Sequence, residues 1–215
     1  MITGQNAGVE FTDVVRRRRM VRRYDPDRPI EPGVVDELLR LAVRAPSAGF
    51  SQGWRFLVLT DAADRDRFWA TTTPADQPSD PWLADMRTAP VLVIALSDKD
   101  AYLDRYAEPD KGWTDRDEAR WPVPYWDVDT GMAALLVLLG AVDLGLAACF
   151  FGVPPEFTEA TRVAFAIPSR LRLVGVISLG HPAPDRRSPS LRRGWRDIAD
   201  VVSHGRFGRP DRGGG

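Results

Sequence analysis

Apolar positions along the chain repeat in two rhythms. After Pro32, the residues Val34, Val35, Leu38, Leu39, Leu41 and Ala42 recur at three- and four-residue spacing, which predicts an amphipathic helix to about Arg44, stopped at Ala45-Pro46. Shorter apolar runs carry strand character: RFLVLT from Arg55, PVLVIALSD from Pro90, LAACFFG from Leu146 and LRLVGVISLG from Leu171. The second of these is apolar enough to be buried on both faces. Between them, Asp61 can cap a helix through Trp69, Pro81 to Thr88 reads as a short helix after the polar loop TTTPADQPSD, and Pro154-Pro155 opens a helix through Ala164. The run TGMAALLVLLGAVDLG is apolar nearly all round. It predicts a helix capped by Asp127 or Asp129, ended by Gly145, and buried at the centre of a domain or against a partner.

Residues 98–126 are long, charged and rich in Trp, Tyr and Pro, the signature of a functional or mobile connection. Residues 1–10 read as a flexible arm, 11–207 as one domain with a C-terminal arm over 182–207, and 208–215 as a disordered tail. In the C-terminal arm DIADVV is the only apolar portion. Helices and strands mix without strict alternation, which makes the class α+β.

The stretch Arg16 to Tyr24, RRRRMVRRY, places six arginines in eight positions. Phe11, Val14 and Val15 form a helical stripe that, continued, turns Arg18 and Arg22 toward the core. If the helix ends near Arg19 instead, the following residues are extended and alternate between faces. Either way some guanidinium groups point inward, and a partly buried guanidinium calls for a carboxylate or phosphate. The alternative is a solvated basic patch on nucleic acid. The net charge of −1 over 215 residues speaks against a general nucleic-acid binder. One cysteine, Cys149, excludes an internal disulfide, and two isolated histidines, His181 and His204, argue against a metal site. No apolar run reaches the roughly 20 residues of a membrane span and the N-terminus lacks a signal-peptide pattern, so the expected location is cytoplasmic.

Four motifs in order give the chain a family resemblance. RRMVRRYD resembles the N-terminal phosphate motif of the nitroreductase family of FMN enzymes. APSAGFSQGWRFLVL resembles its loop-and-strand motif, DLGLAACFFG its Gly-Leu-Gly turn near the flavin, and WRDIADVV before HGRFG its C-terminal return. The match covers roughly residues 11–207. It implies the nitroreductase-like fold, with a central mixed sheet flanked by helices in an intertwined homodimer. It implies FMN as cofactor, NAD(P)H as donor, and electron-poor small molecules such as nitroaromatics or quinones as acceptors. Carried over by position, Arg18, Arg19 and Arg22 would hold the phosphate, and Pro46, Ser47, Ala48, Gly49 and Gln52 would run beside the ribityl chain or ring. Phe151 and Gly152 would offer backbone N–H groups near flavin N5, and Arg196 or Arg193 would complete the clamp. Three positions depart from the pattern: Met20 where serine is common, Gly53 in place of proline, and Asp197 after Arg196 where proline is common.

On this reading no side chain is a catalytic acid, and 98–126 would be a lid whose Trp113, Trp121, Tyr125 and Trp126 stack on a planar substrate. Beside these roles stand plainer ones: Ser47 as a turn residue, and Cys149 and Trp54 as core. A branch of the same family that consumes its own flavin with oxygen, forming dimethylbenzimidazole, is the rival enzyme reading. A non-enzymatic binder of nucleic acid is the rival of another class.

Overall fold

Three ladders join the four strands β1 (Trp54–Leu59), β2 (Val91–Asp98), β3 (Ala147–Phe151) and β4 (Leu171–Gly180) into one sheet, ordered β1-β2-β4-β3. The computed structural model describes residues 10–74, 80–184, 186 and 188–208. All three ladders are antiparallel, and the parallel component of the sheet is a lone bridge between Met20 and Ala148. Every residue of β2 is buried, as its unbroken apolar run predicts.

Helices cover both faces. On one side lie α2 (Val34–Ala42) and the long α6 (Tyr125–Asp143), where Leu38, Ala42, Ala133, Val137 and Ala141 meet Val93, Ile177 and Leu179. On the other lie α3 (Ala62–Thr71), α4 (Pro81–Met86) and α7 (Pro155–Ala164), where Phe68, Trp69 and Met86 meet Leu92, Ile94 and Val176. By length and composition α6 is apolar enough to cross a membrane, yet half of its apolar window is buried in this fold. The chain divides into two compact units, residues 1–185 and 186–215. The second contains a 3-10 turn over Pro189–Arg193 and the short α8 (Ile198–Val201), capped by the Asp197 carboxylate, which accepts from Ala199 N–H at 3.0 Å. The arm predicted over residues 1–10 and the tail from 208 fall almost entirely outside the described residues.

Three expectations need correction. First, α1 spans only Phe11–Arg17, so the arginines do not continue on its stripe; Arg18 already has φ −57° and ψ 122°. The edge of β3 explains the early stop, because Val21 N–H bonds Ala148 O at 3.0 Å and a longer helix would forfeit that bond. Second, α6 starts at Tyr125, before either proposed cap, and Asp127 instead accepts from Ser97 Oγ and pairs with Arg172, both at 2.6 Å. Third, residues 98–126 are not irregular throughout: they hold α5 (Lys99–Ala107) and a 3-10 turn at Glu118–Arg120.

Candidate functional site

In the extended stretch after α1, Arg18 and Arg22 are half-buried and Arg19 is exposed, although Val21 on Arg19's side lies in the core. Alternation puts residues 18, 20 and 22 on one side and 19 and 21 on the other. On the first side Met20 Sδ accepts from Phe150 N–H at 3.4 Å, and the Arg22 guanidinium donates to Met20 O at 3.4 Å. There Arg18 Nη1 is buried with no hydrogen-bond partner. A buried charged donor left unanswered is costly, and an anion is a partner that would answer it. Arg19, exposed, lines a cleft at the start of β3 with Arg17, Val21, Gly145, Ala148 and Pro182. The methionine at position 20 spends its sulfur on Phe150 and has no donor to offer a phosphate.

The same parity fixes the backbone of β3. Ala148 O and Phe150 N–H point to the free edge of the sheet, since both bond the Met20–Val21 segment, whereas Cys149 and Phe151 alternate toward β4. Of the two amides expected near the reacting ring, Phe151 N–H turns toward β4; the strand ends there, and one further step of the alternation would turn Gly152 N–H to the outer edge. Phe151 contributes its ring instead, stacked on Trp69 at 5.7 Å and edge-on to Trp82 at 5.9 Å. With Gly152, Pro154 and Phe157 these rings line a cleft of about 260 Å³ whose charged lining residues are Asp80 and Glu156.

The Pro46–Gln52 loop lies elsewhere. Its conformation is tightly specified: Gly49, Phe50 and Gln52 have φ of 61°, 58° and 52°. For Phe50 and Gln52 that left-handed backbone costs roughly 1–2 kcal/mol each. The surroundings hold it there. The Asp129 carboxylate, 2% exposed, accepts from Ala48 N–H at 2.9 Å and from Tyr102 O–H at 2.8 Å. Arg105 Nε donates to Gly49 O at 2.9 Å while its guanidinium grips Asp110 through two bonds of 2.7 Å. Ser47 Oγ accepts from Gln52 N–H at 3.1 Å, the turn role weighed for it, and a hydroxyl so engaged can still donate its own proton. Burial, followed by the bond to Asp129, pushes the Tyr102 hydroxyl far above the ordinary tyrosine range, so it stays a donor. Glycine is required at 49 and 53: a Cβ at 49 would come within 2.5 Å of Tyr106, and one at 53 would collide with Tyr102 and lie 2.8 Å from Asp98 O. These anchors were not singled out from sequence. The available signal was Asp129, an acid inside an otherwise apolar helix, which has to be answered when buried.

The predicted aromatic lid closes on itself. Trp121 packs edge-on against Tyr102, Trp113, Tyr125 and Trp126, and most closely against Tyr106 at 4.6 Å. Trp126 is buried and Trp113 lies under the Arg120 guanidinium, 5.5 Å from its centroid. The cluster backs the Gly49 turn through Tyr106. Trp54 and Cys149 are buried in the core, and His181 sits at the end of β4 with Nδ1 buried and unpartnered. Arg193 and Arg196 belong to the second unit and are exposed there.

Within one chain, therefore, the Arg18 edge and the Ser47 loop occupy opposite corners of the sheet. Trp54, just after the loop, is in register with Ser97 and hence Arg172, while Ala148 is in register with Leu179. From Arg172 to Leu179 is about 23 Å along the strand, and from β1 to β3 about 14 Å across it, which puts the corners about 27 Å apart.

A family model described as Nitroreductase family matches residues 15–181. The NADH dehydrogenase of Thermus thermophilus is 29% identical over 191 residues, covering 80% of this chain and 89% of that protein. The iodotyrosine deiodinase of Thermotoga neapolitana is 24% identical over 187 residues, 79% and 87% of the two chains. Among solved structures, a Desulfovibrio desulfuricans protein crystallised in complex with FMN superposes with a TM-score of 0.69 at 25% identity, covering 93% of this chain and 98% of that one.

Proposed function

The chain belongs to the nitroreductase family, and on that premise we propose that it is an FMN-dependent oxidoreductase passing electrons from NAD(P)H to a nitroaromatic, quinone or similar electron-poor acceptor, by a ping-pong route. The observation that carries the reading is the buried, unanswered Arg18 Nη1, two residues before the bridge from Met20 to Ala148 of β3. It fits a phosphate, and an aromatic cleft opening at Gly152 on the same strand fits a planar ring. Bound FMN supplies the redox chemistry, accepting a hydride from the nicotinamide and giving up two electrons to the acceptor.

The chain's own residues bind and orient. Arg18 and Arg22 hold the phosphate, Gly152 N–H donates to the ring's reacting edge, and Trp69, Trp82 and Phe151 keep water from the cleft wall. No side chain need donate or take a proton. Arg19, exposed, is assigned a smaller part, and Arg193 or Arg196 remains the candidate for closing the clamp.

The strand positions nearest the two groups, Trp54 and Ala148, stand about 27 Å apart across the sheet, which supports pairing the Ser47 loop with the Arg18 edge of a second copy in one shared site. A second surface supports a homodimer: Val128, Met132 and Leu135 form an exposed apolar stripe along α6, continued by Leu139 and bordered by Leu41 and Phe11. Use of NAD(P)H and the lack of an internal disulfide fit a cytoplasmic location. The test is direct. Purified protein should be yellow, and NADH or NADPH under nitrogen should bleach it until an acceptor is added. Protein that takes up no FMN would overturn the proposal; FMN that neither nicotinamide bleaches would overturn its donor.

A further inference from the structure

Phe50 is a large apolar side chain, 75% exposed, on a left-handed backbone with φ 58°. Each feature is unfavourable, and three separate groups, Asp129, Arg105 and Tyr106, fix the loop that imposes them. Strain sustained by so many neighbours marks a residue kept for what it presents. The bond from Ala48 to Asp129 seats the loop on the first turns of α6, where the exposed apolar stripe begins at Val128. The loop that carries the exposed Phe50 thus adjoins the face assigned above to the second copy.

We propose that Phe50 is a specificity-determining residue: its ring forms one wall of the acceptor pocket at the flavin bound by the partner subunit, and it selects flat aromatic acceptors by stacking. This rests on the shared-site reading of the preceding section. A quinone held there gains two electrons and two protons to become the hydroquinone, the electrons and one proton originating in the NAD(P)H hydride and the other proton in solvent. Phe50 takes no part in either transfer. It fixes the ring that receives them, as offset or edge-on aromatic pairs do elsewhere.

The experiment uses FMN-loaded protein reduced with dithionite, so that it is independent of the nicotinamide donor, and follows reoxidation by a benzoquinone and by ferricyanide, which has no ring to stack. In Phe50→Gly the quinone-to-ferricyanide rate ratio should fall roughly three- to tenfold. Thermal stability should hold or rise, since glycine relieves the left-handed strain. Phe50→Tyr should restore the ratio, and Phe50→Asn, which tolerates the same backbone, should repeat the loss if the glycine variant does not fold. An unchanged ratio in FMN-loaded Phe50→Gly or Phe50→Asn overturns the assignment and leaves the family reading standing. Failure of the unaltered protein to bind FMN would instead remove the site on which the assignment depends.

Discussion

Arg18 and Arg19 are neighbours in sequence with different surroundings, one half-buried with an unanswered nitrogen, the other exposed and lining the cleft with Gly145, Ala148 and Pro182. A charge-assisted contact to phosphate contributes about 1.5–3 kcal/mol, so Arg18→Ala should weaken FMN binding by roughly ten- to over a hundredfold. Arg19→Ala should change it by less than about threefold, the scale of an exposed charge. Titration of apoprotein against FMN fluorescence measures both, and equal losses in the two variants would show that the alternation does not sort them. The arginine run was conspicuous in the sequence. Which of its members turn inward depends on the chain leaving the helix at Arg18, and that is set by Ala148, which is 130 residues away from it in the chain.

At the scale of elements, α6 presents two faces with different roles. Ala133, Val137 and Ala141 press on the sheet, while Val128, Met132 and Leu135 remain outside the core of their own chain. Changing Leu135 to Glu therefore leaves the packing of the subunit in place but sets a charge in the face assigned to the partner. The expected result is a shift from dimer to monomer in sedimentation, an unchanged far-ultraviolet spectrum, and FMN binding weaker by about tenfold or more because the loop of the second copy is lost. A variant that remains dimeric would place the interface elsewhere. The segment 98–126 shows the converse case. Its aromatics suggested a lid by composition, and the structure uses them to brace one another and the Gly49 turn, with Arg105 adding a bond to the same residue. A cluster of rings in sequence carries no information about whether they face a ligand or each other.

For the whole molecule, the proposed shared site bears on kinetics. A ring covered on one side and open to a single cleft on the other would make donor and acceptor use that cleft in turn. Initial rates at several fixed NAD(P)H concentrations should then give parallel double-reciprocal lines; intersecting lines would demand a ternary complex and room for both molecules. By itself the sequence determined the α+β class, the position of each strand, the buried β2, the helix stops at Ala45-Pro46 and Gly145, and the three motifs that fall within the matched residues 15–181, because periodicity, turn chemistry and motif order are local properties. The tertiary structure alone decided the rest. The end of α1, the different burial of Arg18 and Arg19, the turning of Phe151 N–H toward β4, and the anchoring of Ser47–Gln52 by Asp129 and Arg105 all depend on register across strands or on contacts between residues far apart in the chain. The separation of about 27 Å between the two halves of the motif set is of the same kind: each half is legible where it stands, but the distance between them follows from strand order and stagger, which no single segment encodes.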